Sequence, residues 1–254
     1  MNRISAIIIT RDEERNIGRC IESLQGVADE IIVVDSGSTD GTEAICRQAG
    51  VRFERHDWEG YSGQKNYADS LATHRWLLSV DADEALSPTL RQNLINLKEK
   101  GLKGGTVYAF RRLNNYCGHW IRHCGWYPDS RIRLWENGKG HWDGLIHEEL
   151  RFNSEVEQVI MDGDMWHYSY YTVAEHVART ARYAPLSAEK DHARGKHASW
   201  ADIAFRPMWT FLRTYLFKGG FLDGAMGFTI CRLSATYTLV KYATLFNLCH
   251  EASD

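Results

Sequence analysis

The sequence lacks several features that would place it at once in a well-marked class of protein. It has no excess of charge of one sign, because 30 lysine and arginine residues stand against 33 aspartate and glutamate residues, for a net charge of −3. That balance argues against a nucleic-acid partner. The chain also contains no internal repeat and no low-complexity linker. Its 254 residues therefore suit one α/β domain, or such a domain with a helical appendix.

Two common nucleotide-binding signatures are missing as well. The polar turn at residues 36–42 reads SGSTDGT, with neither a GxGxxG pattern nor a Walker lysine. Neither a dinucleotide-binding fold nor a P-loop is indicated.

Paired cysteines and an uninterrupted apolar span are two further absences. Six cysteines are widely spread and no signal peptide precedes the first predicted strand at Ile4, so we expect reduced thiols in a cytosolic protein. Residues 225–248 are apolar, but Arg232 and Lys241 interrupt them on opposite sides of a predicted helix. Charges on both sides argue against a simple membrane span.

The first 90 residues alternate continuous apolar runs with segments of helical spacing. The runs at residues 5–10, 30–35 and 76–80 are typical of strands covered on both faces. A helix is predicted after the first run, with Thr10-x-x-Glu13 resembling a capping box at its entry. This alternation predicts a mostly parallel, Rossmann-like sheet flanked by helices.

The later chain gives a looser pattern. Strands are predicted at residues 106–112 and 131–136, and a strand pair at residues 156–167. From residue 172 the pattern is helical, and Pro185 and Pro207 favour three or more helices over one. We predict a first domain at residues 1–170, with halves at 1–90 and 91–170, and a helical C-terminal region at residues 171–254.

Acidic residues follow the apolar run at residues 76–80. Asp81 and Asp83 are two residues apart, so a single turn beyond the strand can direct both carboxylates at one hard cation. In open α/β sheets, ligands bind at this carboxyl end of the strands. The alternative is a solvated turn before the helix that Ser87-Pro88 opens.

The second buried run also ends in an acid, Asp35, so two acids are predicted at the same edge of the sheet. Asp35 either caps its own turn or hydrogen-bonds a nucleotide ligand. Arg131 and Arg133 alternate on a predicted strand and are expected to face the same way. One of them holds a phosphate of a donor or an anionic acceptor, unless both are surface residues.

Several segments together resemble family 2 inverting glycosyltransferases, which have the GT-A fold. Residues 3–90 carry TRDEERNIGRCIESL, IIVVDSGSTDGT and GQKNYADSLATHRWLLSVDADE. The later segments RLWENGKGHWDGLIHEEL, MWHYSYYTVAEHVARTARYAPLSAE and PMWTFLRTYLFKGGFLDGAMGF resemble one branch, the lipopolysaccharide inner-core β-1,4-glucosyltransferases. The resemblance covers nearly the whole chain.

The resemblance implies a role for each matching residue of the donor and metal sites. Thr10 and Glu13 match positions that line the uracil pocket, and Asp35 matches the acid that contacts uridine. Lys65 takes the place of an arginine that touches the diphosphate, unless it is a solvated lysine on a helix face. Asp81 and Asp83 match the positions that hold Mn²⁺ or Mg²⁺. His167 matches a late histidine of the metal site, unless it belongs to the core.

The resemblance also places a general base in the segment Ile146-His147-Glu148-Glu149-Leu150. An inverting transfer needs one base and no carboxylate nucleophile. The match favours Glu148 as the base. Glu149 is the alternative, since the side chains of adjacent residues point in different directions and only one of the two is expected to face the acceptor. Asp143 is a third candidate.

The implied reaction moves a hexose, glucose from UDP-glucose, onto a heptose of the lipopolysaccharide core. The alternatives are transfer to a polyprenyl phosphate or another cell-surface glycan, and a non-catalytic nucleotide-sugar-binding protein. A lipid-linked acceptor implies a peripheral protein on the inner face of the bacterial inner membrane. One predicted helix has apolar residues at helical spacing and basic residues nearby. Such a helix suits a membrane interface, although the same apolar stripe also suits a core helix. The apolar residues are Phe205, Met208, Trp209, Leu212 and Leu216, and the basic residues are Arg206, Arg213 and Lys218.

Overall fold

Four parallel strands form the part of the sheet that the N-terminal half of the chain builds. The computed structural model describes residues 2–144 and 149–250. Contacts divide the chain into a first unit, Met1–Leu113 with Asp129–Tyr168, and a second unit, Asn114–Pro128 with Ser169–Asp254. The first unit begins with β1 (Ile4–Thr10), α1 (Ile17–Leu24), β2 (Glu30–Asp35), α2 (Thr42–Gln48), β3 (Arg52–Arg55), α3 (Gly60–Leu71) and β4 (Trp76–Asp81).

The later strands extend this sheet in the antiparallel sense. They are β5 (Glu84–Leu86), β6 (Thr106–Tyr116), β7 (His119–Ile121), β8 (Asp129–Glu136), β9 (Gly140–Asp143), β10 (Glu149–Phe152) and β11 (Glu157–Tyr170), with α4 (Pro88–Lys100) between β5 and β6. The order of the main sheet is β3-β2-β1-β4-β8-β6-β11-β5, with β7 on β6, while β9 and β10 form a separate pair. The pairs β1–β2, β1–β4 and β2–β3 are parallel, whereas β4–β8, β6–β8 and β5–β11 are antiparallel. The predicted α/β class is confirmed, with a parallel first part and a mixed sheet as a whole.

The core of the first unit explains why the apolar runs predicted its strands well. The runs on β1, β2 and β4 are buried because helices cover the sheet. On α1 the residues at helical spacing are buried, as predicted: Ile17, Cys20, Ile21 and Leu24. The predicted capping box is wrong, because six residues separate β1 from α1 and the N-cap of α1, Asn16, makes no side-chain cap bond.

Two details of the later chain differ from the sequence-based expectation. The predicted strand pair at residues 156–167 is one long strand, β11. The short strand β5 was not predicted at all, and it pairs with β11 through Glu84 and His167. Both errors have one cause, since strand pairing between distant segments leaves no local pattern.

The second unit contains three long helices, as predicted for this region. They are α5 (Val173–Ala193), α6 (Trp200–Leu212) and α7 (Gly224–His250), with a π-helical turn (Arg213–Phe217) and a 3-10 turn (Gly220–Asp223) between α6 and α7. Capping boxes at Thr172 and Ser199 open α5 and α6. Pro185 and Pro207 lie inside these helices rather than between them, so their predicted role as helix breaks is wrong. Among the helices of the described residues, none combines the length and the apolar character needed to cross a membrane.

Candidate active site

Asp81 is held between two cationic side chains at the carboxyl end of β4. Its Oδ1 lies 3.2 Å from Nζ of Lys65, and its Oδ2 lies 2.9 Å from Nη2 of Arg133. Burial opposes ionisation, but the two cations outweigh it and hold the pKa of Asp81 well below its usual range. Asp81 therefore stays negatively charged.

Lys65 reaches Asp81 from helix α3 and is only 4% exposed. Its ammonium group also lies 4.4 Å from the centre of the Trp142 ring, a favourable cation–π distance. Asn66 fixes α3 to β9 by two hydrogen bonds of 2.9 Å with the backbone of Trp142. The alternative reading of Lys65 as a solvated helix-face lysine is wrong.

Arg133 is buried because β8 contains an extra residue at that point. Tyr108 pairs with Leu134 and Ala109 with Ile132, so Arg133 is the bulged residue. A bulge redirects a side chain, and the guanidinium of Arg133 contacts both Asp81 and Glu84. Glu84 is fully buried; burial and the charge of Asp81 raise its pKa, although Arg133 opposes this. Glu84 is absent from the site residues that the sequence predicts, and its place within a run of acids was the only signal.

Asp83 and His167 meet beside Asp81. Asp83 lies in the turn between β4 and β5, and its Oδ2 is 3.2 Å from Nε2 of His167 on β11. The backbone N–H of Tyr168 donates to the carbonyl of Asp83 at 2.9 Å, which fixes the turn against β11. Arg19 lies 3.6 Å from the centre of the Tyr168 ring. His167 thus returns to the acidic turn, although no group of three His, Cys, Asp or Glu side chains within the described residues is arranged to hold a metal ion.

Thr10 and Asp35 are partners in the β1–β2 register, and Asp81 pairs with Ile9 of β1. The predicted meeting of Asp35 and Asp81 at one sheet edge is therefore correct. The Asp35 carboxylate caps its own turn, accepting bonds of 3.0 and 2.9 Å from the backbone of Gly37 and Ser38. These contacts are those expected if Asp35 caps its own turn, the first of the two roles predicted for it.

The two loops after β1 and β2 are bound to each other. The backbone N–H of Glu13 donates to Oγ1 of Thr42 at 2.8 Å, and Asn16 donates to the Glu13 carboxylate at 2.8 Å. In contrast, Oγ1 of Thr10 is buried and has no hydrogen-bond partner in the described part of the chain. The uridine-binding roles of Thr10, Glu13 and Asp35 remain predictions.

A cavity of about 570 Å³ opens in the first unit beside Asp81. Arg131 and Arg133 both line it, and so does Ile132 between them, so the lining does not test their predicted common orientation. Its other lining residues are Lys65, Asp81, Arg112, Ser130, Ile132, Trp142, Glu149, Leu150 and Gln158. The described lining of the cavity is thus rich in cations and includes two carboxylates, those of Asp81 and Glu149.

Of the candidate bases, Glu149 lines this cavity, and its side chain is largely exposed. Asp143, its partner in the β9–β10 register, lies 3.1 Å from Nη1 of Arg151 and is not among the lining residues. Glu148, the favoured base, lies outside the described residues.

Comparison with known proteins places this arrangement in a class. Residues 5–166 match the family model described as Glycosyl transferase family 2. The chain is 32% identical over 257 residues to the lipopolysaccharide core biosynthesis glycosyltransferase LpsC of Rhizobium meliloti, covering 96% of this chain and 92% of that protein. It is 28% identical to an uncharacterized glycosyltransferase of Rickettsia typhi, covering 98% and 88% respectively.

A more distant likeness links the chain to a solved structure, glucosyl-3-phosphoglycerate synthase of Mycobacterium tuberculosis. The identity is 22%, the TM-score is 0.37, and the match covers 45% of this chain and 44% of that one. This likeness is too distant to bear on function. The family match and the similarity to LpsC do decide the class: the protein is a transferase. It belongs to glycosyl transferase family 2 and is related to lipopolysaccharide core biosynthesis enzymes.

Proposed function

We propose that the protein is an inverting, metal-dependent hexosyltransferase that moves glucose from UDP-glucose onto a heptose of the lipopolysaccharide inner core. The observation that carries this is the similarity to LpsC, a lipopolysaccharide core biosynthesis glycosyltransferase, over 96% of the chain. The cation-held Asp81 beside a charged cavity of about 570 Å³ supports it, because the cavity has room for a sugar and groups suited to phosphates.

The donor nucleotide binds at the edge formed by β1, β2 and β4. Thr10 offers a buried hydroxyl without a partner in the described chain, so a uracil group can satisfy it. Lys65 brings a compact positive charge to the diphosphate. The Asp35 carboxylate already accepts hydrogen bonds from the backbone of its own turn, so its role toward uridine is to hold that turn in place.

Asp81, Asp83 and His167 would hold the divalent cation. Their two carboxylates and one imidazole suit Mn²⁺ or Mg²⁺ by donor type, and Asp83 and His167 already lie in contact. When bound, the ion neutralises the negative charge that develops on the leaving diphosphate. Lys65 and Arg133 neutralise Asp81, so both cations lie next to a carboxylate that would hold the ion and near the place where a diphosphate would bind.

The chemical step is a single displacement at C1 of the sugar. The acceptor oxygen forms a bond to C1, the bond from C1 to the diphosphate oxygen breaks, and UDP departs with its electron pair. Glu148, or Glu149 on the cavity wall, takes the proton of the acceptor hydroxyl.

A screen of nucleotide sugars tests the proposal. The purified enzyme is offered UDP-glucose and other UDP-, GDP- and CDP-sugars with Mn²⁺, and hydrolysis is measured before and after chelation. Transfer is then measured with truncated core oligosaccharides and with polyprenyl phosphate. We expect metal-dependent hydrolysis of UDP-glucose and transfer to the heptose acceptor; transfer to polyprenyl phosphate alone would replace the proposed acceptor.

The second unit is the part of the chain that contacts the membrane in this proposal. Residues 203–250, named here the basic aromatic segment, contain five lysines and arginines and one acid, Asp223. Trp209 and Phe217 are 56% and 73% exposed, and their rings lie 5.9 Å apart. The other exposed large apolar residues of the segment are Phe205, Met208, Leu216, Phe221, Leu222, Phe228 and Leu239.

Cations accompany these aromatic residues. Arg213, Lys218 and Arg232 are exposed and have no acidic partner among the described residues. Exposed aromatic rings with unpaired cations suit the interface of an anionic bilayer. The protein is therefore proposed to be peripheral on the cytoplasmic face of the inner membrane.

Sedimentation with lipid vesicles tests this surface. We expect binding to vesicles that contain phosphatidylglycerol and loss of binding in the double variant Trp209→Ser, Phe217→Ser, while Trp58→Ser, an exposed tryptophan of the first unit, serves as the control. Equal binding by all three proteins would exclude this surface. If the native protein is a dimer and the double variant is a monomer, the surface is assigned to self-association instead.

A further inference from the structure

Among the described residues, the lining of the cavity beside Asp81 contains four cations, Lys65, Arg112, Arg131 and Arg133, and two carboxylates, Asp81 and Glu149. Lys65 and Arg133 are paired with Asp81 and Glu84, two cations with two acids. Arg112 and Arg131 also line the cavity, and both are paired with Asp129, while Nη1 of Arg112 lies 3.9 Å from Oε1 of Glu84 as well. This second group of cations has no task in the donor site described above.

Arg112 and Arg131 share one carboxylate. Nε and Nη2 of Arg112 donate to Oδ2 of Asp129 at 3.1 and 2.8 Å, and Nε of Arg131 lies 2.9 Å from Oδ1 of the same residue. Two guanidinium groups against one carboxylate leave one positive charge in excess. The side chain of Arg131 is 59% exposed, and Arg131 lines the cavity.

Arg131 and Arg133 contact different acids although they lie two residues apart on β8. Arg133 contacts Asp81, whereas the Arg131 contact is to Asp129 at the start of β8. Glu149, the candidate base within the described residues, lines the same cavity. The pair therefore shares a cavity with a candidate base for the acceptor hydroxyl.

We propose that Arg112 and Arg131 bind an anionic group, a phosphate or a carboxylate, on the acceptor saccharide. This inference rests on the proposed function, since it concerns the acceptor of that transfer. A guanidinium presents parallel N–H groups that match the oxygens of either anion, and such charge-assisted bonds are stronger than neutral ones. One bound anion would balance the excess charge of the Arg112–Asp129–Arg131 group.

Acceptors of different charge test the proposal. A heptose-containing core oligosaccharide is compared with its dephosphorylated form and with its carboxyl-reduced form, at saturating UDP-glucose. We expect the acceptor KM to rise at least ten-fold for one of the two neutralised forms, and the form affected identifies the anion. Equal KM values for all three acceptors would overturn the proposal.

Variants then link the effect to the two arginines. We expect Arg131→Met and Arg112→Met each to raise the KM for the charged acceptor at least ten-fold, with kcat and UDP affinity within two-fold of the native values. With the neutralised acceptor, the variants should match the native enzyme. Arg111→Met is the control, because Arg111 neighbours Arg112 on β6 but pairs with Asp162 outside the cavity. An equal loss of UDP affinity would assign the arginines to the donor instead.

A binding measurement separates failure of this proposal from failure of the proposed function. If no core oligosaccharide accepts glucose from the native enzyme, the proposed function fails, and the arginines are tested by calorimetry with glucose 6-phosphate and glucose on the enzyme–UDP complex. We expect glucose 6-phosphate to bind more tightly than glucose, and this difference to disappear in Arg131→Met. No difference in the native enzyme would overturn the inference. Because Arg131 is exposed, its variant should fold normally, and unfolding midpoints check this.

Discussion

Nζ of Lys65 lies 3.2 Å from Oδ1 of Asp81, so an almost fully buried lysine of helix α3 neutralises the acid at the end of strand β4. Arg133 neutralises the other oxygen of the same carboxylate. A carboxylate held in this way stays charged and has a fixed orientation, although it is partly withdrawn from water. The candidate active site of this family 2 glycosyltransferase is organised around this contact.

Removing Arg133 should destabilise the first unit strongly. Arg133→Met leaves Glu84 buried without its partner, and breaking such a pair typically costs about 3–5 kcal/mol. Urea unfolding measures this change, and the double variant Glu84→Gln, Arg133→Met should recover part of it. The matched control is Arg131→Met on the same strand, which we expect within about 0.5 kcal/mol of the native protein. Equal losses in both arginine variants would contradict a special role for the buried pair.

Asp69 should make the stability of the protein fall as the pH rises from 4 to 7. Both carboxylate oxygens are buried without a hydrogen-bond partner among the described residues. Burial raises the pKa of Asp69 to about 7, while the nearby Trp142 indole and Lys65 oppose this. Because the pKa of Asp69 in the folded state exceeds the ordinary aspartate value of 3.8, the folded state binds the extra proton within this window. The expected loss is about 1.4 kcal/mol per pH unit.

Urea unfolding of Asp69→Asn at several pH values checks this. The variant cannot ionise, so we expect its stability relative to the native protein to increase from pH 4 to pH 8. Asp57→Asn, a change at an exposed aspartate, should show no such trend. A flat difference between Asp69→Asn and the native protein would contradict the titration of Asp69.

Asp83→Ala should abolish turnover and the Mn²⁺-dependent part of UDP binding while the protein stays folded. The change removes a proposed ligand and leaves His167 without its carboxylate neighbour. Calorimetry with UDP, with and without Mn²⁺, measures the effect, and Asp57→Ala is the control. Unchanged metal-dependent affinity in Asp83→Ala would exclude the metal role.

The donor site should prefer uridine nucleotides, because Thr10, Glu13 and Asp35 match the uracil pocket implied by the family resemblance. Competition among UDP, GDP, CDP and dTDP tests this preference. Thr10→Val, which keeps the shape and removes the unpaired hydroxyl, should weaken UDP binding if that hydroxyl meets the uracil. Tighter binding of GDP than of UDP would refute the assignment.

Glu148→Gln should bind donor and metal normally but lose transfer by about 10²–10⁴-fold, the usual contribution of a general base. The amide keeps the shape of the side chain and removes its basic lone pair. Glu149→Gln, at the residue that lines the cavity, is the discriminating comparison. Loss in Glu149→Gln with near-normal transfer in Glu148→Gln moves the base by one residue. If neither change slows transfer ten-fold, Asp143 is the next residue to test.

The amino-acid sequence by itself determined the parallel strands, the buried face of α1 and the meeting of Asp35 and Asp81 at one edge. These follow from continuous apolar runs, helical spacing and the rule that parallel strands end at the same edge, all of which are local. The same local reasoning failed for the capping box at Thr10 and for Pro185 and Pro207, where a plausible motif had no such role in the structure.

Tertiary structure alone decided the partners of the charged residues. The contact of Arg133 with Asp81 and Glu84 depends on a bulge in β8, and the contact of His167 with Asp83 depends on the β5–β11 pairing. Neither the bulge nor the pairing leaves a periodic pattern in the sequence, because the bulge depends on the partner strand β6 and the pairing joins segments far apart in the chain. The exposure of Trp209 and Phe217 was likewise undecidable from spacing, since an apolar helical stripe looks the same whether a core or a bilayer covers it.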